Sequence, residues 1–275
     1  MDDGLLKELK NVLYVDKVYN GIAELRRRMM ELPSPSMDLR LAEYRLFSQN
    51  GEDGITVELL RQLPDIEPFF VEFGVGDGWS CNTRILAEVF GWRGLYLEID
   101  TDAHRALEER YRNTSRIATL CAAVTPDNIN ELFNRAEVPE RLGVLSIDID
   151  GQDYWVWQAL SDRYRPQIVI VEVNTSFPPN RSVSESYDAP QGPLTETFGA
   201  SISAMEKLGA AKGYTLAHVD MAGVNAFFVP DEFAGRTQIK GILDRSPNFG
   251  LRGRFHSRDV LYEGGDAIPR PFHDV

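Results

Sequence analysis

Between residues 69 and 99, apolar runs and polar breaks follow one another as strand, loop, helix and strand. Phe69-Phe70-Val71-Glu72-Phe73 is an apolar run with one acid inside it. It ends in Gly74-Val75-Gly76-Asp77-Gly78, with glycine on alternate positions. Glycine lets the backbone turn sharply and approach a ligand with no Cβ in the way. Thr83–Phe90 reads as a helix, whose start offers free N–H groups to polar or anionic ligand atoms. Gly94–Asp100 reads as a second short strand. Its acid, Glu98, lies twenty residues beyond Gly78, the spacing at which a ribose-binding acid follows a nucleotide loop.

The alternation continues along the chain. Strands are predicted near 117–123, 142–149, 168–173, 215–219 and 226–229. Helices are predicted at 126–135, about 153–162 and 199–212. Strands alternating with helices imply a mostly parallel sheet covered on both faces, an α/β fold. Upstream, Leu5, Leu6, Leu9, Val12, Leu13, Val15, Val18, Ile22, Leu25, Met29 and Met30 recur at helical spacing until Pro33 and Pro35 end the stripe. This arm (1–38) is a candidate to pack on the core, cap the site or join two copies of the chain. Residues 40–63 read as a second helical region, with Ser48 or Asn50 as a cap. Residues 174–198 hold four prolines and no period, so they read as a long excursion, a functional loop by length. The segment 231–275 reads as an irregular tail. The main domain is therefore 39–230.

Composition narrows the function. Lys and Arg total 29 against 42 Asp and Glu, a net charge of −13, so a nucleic-acid substrate is disfavoured for want of a basic face. The two cysteines, Cys81 and Cys121, have no metal-ligand spacing and are expected to be reduced and partly buried. No apolar run reaches the roughly 20 residues of a membrane span, and the start lacks a signal core. The expectation is a soluble cytoplasmic protein with no membrane partner.

Strand four ends in Asp148-Ile149-Asp150-Gly151-Gln152-Asp153-Tyr154-Trp155, and strand five in Glu172-Val173-Asn174. Ligands of open α/β sheets bind at that carboxyl edge. Like charges gathered there need a cation, hydrogen bonds or a raised pKa. Asp148, Asp150, Glu172 and Asn174 form an oxygen-only set that suits Mg²⁺. The alternative is that Asp148 and Asp150 hold a cofactor amino group, cap the next helix or bond substrate. His218 and His256 are the histidines placed to act as general base. Tyr154 and Tyr187 are candidate substrate contacts, while Trp157 reads as core.

The glycine loop departs from the dinucleotide fingerprint, because Trp79 stands where G-x-G-x-x-G requires glycine. With Glu72 ahead of Gly74, Gly76 and Gly78, the chain resembles the class I S-adenosylmethionine (SAM)-dependent methyltransferases, in which E-x-G-x-G-x-G is the cofactor loop. The closer resemblance is to FkbM-like methyltransferases of bacterial secondary and glycan metabolism. It is carried by Ser48–Asp53, Val71–Gly78, Asp148–Trp155, Phe198–Ser201 and Gly223–Phe228, and it covers about 48–229. The resemblance implies a Rossmann-like class I methyltransferase sheet and SAM held by Glu72, Gly74, Gly76, Asp77, Glu98, Gln49 and Asp148. The chemistry expected is methyl transfer to an oxygen of a small-molecule acceptor, with Mg²⁺ as a candidate helper and Asp150 and His218 as candidate catalytic groups. The competing readings are a catalytically silent SAM-binding or scaffold protein and a nicotinamide-dependent oxidoreductase.

Overall fold

The computed structural model describes residues 39–177, 180–188, 199–234 and 272–275. The predicted N-terminal helical arm and His256 lie outside the described residues. In chain order the elements are α1 (Leu39–Ala42), α2 (Glu52–Gln62), β1 (Phe69–Phe73), α3 (Arg84–Glu88), β2 (Arg93–Glu98), α4 (Thr101–Tyr111), β3 (Ile117–Cys121), α5 (Ile129–Arg135) and β4 (Arg141–Ile147). They continue with α6 (Asp153–Ala159), β5 (Arg165–Glu172), β6 (Val183–Glu185), α7 (Ile202–Ala211), β7 (Tyr214–Val219), β8 (Asn225–Pro230), α8 (Asp231–Ala234) and β9 (Phe272–Asp274).

Seven strands form one sheet in the order β3-β2-β1-β4-β5-β8-β7. Pairing is parallel throughout except around β8, which runs antiparallel to both β5 and β7. This is the Rossmann-like α/β sheet expected from the sequence. Side chains of a strand alternate between faces, and the core divides accordingly. Val71, Phe73, Leu95, Leu97, Leu145 and Val169 meet Phe133, Trp157 and Leu208 of α5, α6 and α7 on one face. Phe70, Tyr96, Val144 and Ile170 meet Ile55, Ile85 and Leu107 of α2, α3 and α4 on the other. Strands buried on both sides read as continuous apolar runs, which is why β1, β4 and β5 are so legible.

The chain leaves β1 toward β2 and β3, then crosses back to β4 on the other side of β1. That reversal opens a crevice at the carboxyl ends of β1 and β4, where ligands of such sheets bind. No helix among the described residues is long and apolar enough to cross a membrane.

Several expectations need correction. The helical region 40–63 is two helices separated by an extended turn. The helix Thr101–Tyr111 was not expected; Asp100 caps it by accepting from the N–H groups of Asp102 and Ala103. The excursion after β5 contains β6, and the tail is not irregular throughout: Val183, Ser184 and Glu185 pair antiparallel with Asp274, His273 and Phe272 of β9. The pairing partners lie about ninety residues apart in sequence, which no local pattern reports. Cys81 is buried as expected, but Cys121 is exposed.

Phe228 of β8 is fully buried, with its ring centroid 4.8 Å from that of Trp157. Phe228→Ala is expected to lower unfolding free energy by roughly 3–5 kcal/mol, measured as a lower urea midpoint. An unchanged midpoint would mean that β8 is not integral to the core.

Candidate active site

The glycine loop is shaped from beneath by Glu72. Its two carboxylate oxygens accept from the N–H groups of Asn82 at 2.7 Å and Thr83 at 2.9 Å, and from the Thr83 hydroxyl at 2.5 Å. The acid predicted to hold SAM thus faces the start of α3, and burial raises its pKa to about 7. Gly74 has φ +70°, and a Cβ there would meet the Asp148 carbonyl oxygen at 1.7 Å. Only glycine lets the β1 and β4 loops touch. Gly76 has φ +57° and open space where a Cβ would stand, so its backbone faces the crevice. Asp77 is exposed and accepts from Trp79 N–H at 3.0 Å.

Glu98 ends β2 as a buried carboxylate held against that loop. It accepts from Gly76 N–H at 2.6 Å and from Asp100 N–H at 2.8 Å. Each oxygen keeps a second lone pair, so two hydroxyls can be received without breaking either bond. Ile99, the next residue, is 59 % exposed, an apolar surface beside the acid that sequence reasoning did not single out.

The acids after β4 and β5 are placed by register. Phe73 pairs with Ile147, and Ile147 with Val171. Glu172 pairs with Asn225, and Asp220 N–H donates to the Asn225 carbonyl. One residue further toward the carboxyl edge, the row reads Gly74, Asp148, Glu172, Asn225, Asp220. Asp148, Asp150 and Glu172 bring one carboxylate oxygen each within 4.8 Å of one another. Asp148 accepts no hydrogen bond from the described residues. Burial, then the charges of Asp153, Asp150, Glu72 and Glu52, push its pKa well above the carboxylate range. Asp150 is exposed and held at φ +58°, a left-handed conformation that non-glycine residues adopt at a cost. Asp153 supports the turn by accepting from Ile149 and Gly151 N–H at 2.9 Å each. Asn174 stands apart in chemistry: it is buried, and its Oδ1 accepts from Ser176 N–H at 2.9 Å.

The Ser48–Asp53 segment seals the far side. Asp53 Oδ2 accepts from the N–H groups of Leu46, Phe47 and Ser48 and from the Ser48 hydroxyl, all within 2.8 Å. Ser48 Oγ in turn accepts from Asp53 N–H, but the N-cap of α2 is Gly51 with no side-chain cap bond, so neither Ser48 nor Asn50 is the cap expected from sequence. Glu52 accepts from Asn50 and Gly51 N–H at 2.8 Å each and from Asn225 Nδ2 at 3.0 Å. The guanidinium of Arg84 lies over the rings of Phe47 and Trp79, at 4.5 and 4.9 Å from their centroids, and so ties this segment to the glycine loop. Gln49 is exposed on the same turn. Glu52, Asn225 and Asp220 join the edge without having been assigned a role from sequence. The only local signal for Glu52 and Asn225 was that Ser48–Asp53 and Gly223–Phe228 are motif segments; Asp220 lies outside both and had none.

Two expected groups lie elsewhere. His218 is 1 % exposed, and its Nε2 is bonded to Glu43 at 2.7 Å. Buried on β7 against that carboxylate, it is not placed to take a proton from an acceptor in the crevice. Tyr154 is buried in the core on the inner side of α6, because helix periodicity turns it inward. Tyr187 is exposed, donates to Asp127 at 2.7 Å and meets Trp155 edge-on.

A pH dependence follows from the buried acids. Burial raises Glu72 to about 7, and burial with the charge of Glu52 raises Asp220 to about 8. In the unfolded chain these groups ionise near 4. Between those values the unfolded state releases protons that the folded state keeps, so stability falls as pH rises from about 4.5 to 8. Thermal melts in EDTA across that window should show a falling Tm; a flat or rising Tm would contradict protonated Glu72 and Asp220 in the folded state.

No family model matches the chain, and no curated protein matches its sequence. Solved structures with a similar fold include Aeropyrum pernix fibrillarin in complex with natively bound S-adenosyl-L-methionine, at 14 % identity and TM-score 0.40, covering 61 % of this chain and 68 % of that one. A SAM-dependent methyltransferase from Aquifex aeolicus aligns at 13 % identity and TM-score 0.37, covering 74 % of this chain and 98 % of that one. The CurJ carbon methyltransferase aligns at 8 % identity and TM-score 0.43, covering 70 % and 57 %. At these scores the likeness bears on neither activity nor substrate.

Proposed function

We propose that this chain is a SAM-dependent methyltransferase that methylates an oxygen of a small metabolite or sugar, with Mg²⁺ bound by Asp148, Asp150 and Glu172. The observation that carries the reading is the sign of the crevice. Asp148, Asp150 and Glu172 bring one carboxyl oxygen each within 4.8 Å of one another beside the glycine loop, and Asp153 and Glu52 are close enough to act on Asp148. A pyrophosphate would be repelled there. A cofactor bearing a sulfonium and an ammonium would be attracted. This favours SAM over a nicotinamide dinucleotide, in line with Trp79 at the third glycine position.

The residues fit such a cofactor. Glu98 would receive the two ribose hydroxyls, Ile99 would offer apolar surface to the base, and Gly76 leaves room for close approach. Glu72 holds the loop and α3 in register. SAM supplies a methyl carbon made electrophilic by its cationic sulfur. The chain's part is to hold the acceptor in line and manage its proton. Asp150, exposed at the edge, is the group that meets the acceptor. Mg²⁺ would supply a Lewis acid that lowers the acceptor hydroxyl's pKa. The oxygen-only donor set of Asp148, Asp150 and Glu172 suits that ion. The acceptor side is framed by Tyr187 and Trp155, with Trp155 Nε1 donating to the Glu185 carbonyl at 2.7 Å.

Glu98→Ala should weaken SAM binding by about 1.5–3 kcal/mol, read by calorimetry, with NAD showing no binding to either form. Unchanged SAM affinity would remove the ribose assignment. Incubation with labelled SAM and candidate hydroxylated acceptors should give methyl transfer that EDTA abolishes and Mg²⁺ restores. Turnover that survives EDTA would discard the metal and leave Asp150 as a direct base.

A further inference from the structure

The row at the carboxyl edge has a member outside the proposed metal set. Asn225 is 3 % exposed and is the β8 partner of Glu172. Directly paired residues of antiparallel strands project from the same face, with Cβ atoms about 4.5–5.5 Å apart. Asn225 therefore stands beside Glu172 on the side where Asp148 and Asp150 gather. Its Nδ2 donates to Glu52 Oε1 at 3.0 Å. That bond fixes which way round the amide sits. A carboxylate only accepts, and Glu52 is held as one by Asn50 N–H, Gly51 N–H and Asn50 Nδ2. Nδ2 must then face Glu52, and Oδ1 is turned away from it. Oδ1 is buried and accepts no hydrogen bond from any described residue. A buried carbonyl oxygen in that state is unfavourable unless something electropositive lies against it.

We propose that Asn225 Oδ1 is the fourth protein oxygen of a divalent-cation site completed by Asp148, Asp150 and Glu172, with Glu52 as the residue that positions it. This rests on the proposal that those three acids bind a metal, and it changes the ligand set. Asn174, the amide expected from sequence, commits its Oδ1 to Ser176 N–H. Asn225 supplies a neutral oxygen of the kind hard divalent ions accept beside carboxylates. Glu52 acts through the amide: with a carboxylate behind it, the oxygen cannot rotate away from the cation. Metal-positioning partners of this sort are typically worth about 10- to 100-fold in affinity.

The test is Mn²⁺ binding to the full chain, followed by electron paramagnetic resonance and by the Mn²⁺-induced rise in Tm, with Tm in EDTA as the measure of folding. Asn225→Ala should weaken Mn²⁺ about 10- to 100-fold. Asn225→Asp, of the same size, should melt lower than wild type in EDTA and gain more from Mn²⁺, because it adds a carboxylate ligand next to Glu52. Glu52→Gln should weaken Mn²⁺ about 10-fold, since glutamine lets the amide turn either way. That loss should disappear when combined with Asn225→Asp, which has no orientation to fix; a merely structural role for Glu52 would persist in the double variant. If Asp150→Asn abolishes Mn²⁺ binding while Asn225→Ala and Asn225→Asp respond as wild type does, Asn225 is not a ligand and the metal reading stands without it. If wild type itself binds no Mn²⁺, the metal reading fails and this inference with it.

Discussion

Negative charge gathered at one edge of a sheet must be compensated, and the architecture of this protein around its crevice is organised by that requirement. Most of the acids there are compensated by backbone N–H groups. Glu72 takes those of Asn82 and Thr83, Asp53 those of Leu46, Phe47 and Ser48, Asp153 those of Ile149 and Gly151, and Asp220 those of Val224 and Asn225. Each bond fixes a turn: the start of α3, the bend before α2, the loop into α6 and the β7–β8 connection. The acids are thus structural clamps as well as a source of potential.

Asp148 is the exception. It lies in the same row as Glu172 and Asn225, it accepts no hydrogen bond from the described residues, and Asp153, Asp150, Glu72 and Glu52 are among the charges that raise its pKa. Asp150 and Glu172 bring carboxyl oxygens within 4.8 Å of it, so like charge is crowded at this point of the edge. Raised pKa values are one answer, and they place protons on the edge when no cation is near. A ligand that carries positive charge is the other. The two answers exclude each other at one site, so the edge is stabilised by protons or by a cationic occupant, and exchange between them couples binding to pH.

The glycine loop is coupled to that edge by contact. Gly74 lies against the Asp148 carbonyl so closely that no Cβ fits between them, and Glu98 reaches back to Gly76 N–H. A shift of the β4 loop would therefore displace the nucleoside-facing backbone. The aromatic and guanidinium stack of Phe47, Arg84, Trp79 and Arg110 holds the outer rim. Trp79, which spoils the dinucleotide fingerprint, thus has a packing role of its own.

The sequence by itself determined the sheet, because strands buried on both faces must be apolar and the breaks between them must be polar or glycine. It also determined the glycine loop and the acid at the end of β2, since both depend on local spacing, and it singled out Asp148, Asp150 and Glu172, whose position at strand ends is a local property. Only the tertiary structure decided which side chains point where once strands are in register. Glu72 and Glu98 read alike as acids in strands, yet one faces α3 and the other the loop. His218 reads as a free base and is buried on Glu43, which stands 175 residues earlier in the chain. Asn174 and Asn225 are both amides near strand ends, but the pairing of β5 with the antiparallel β8 sets Asn225 beside Glu172. Register between strands distant in sequence is fixed by packing of the whole sheet, and no window along the chain contains it.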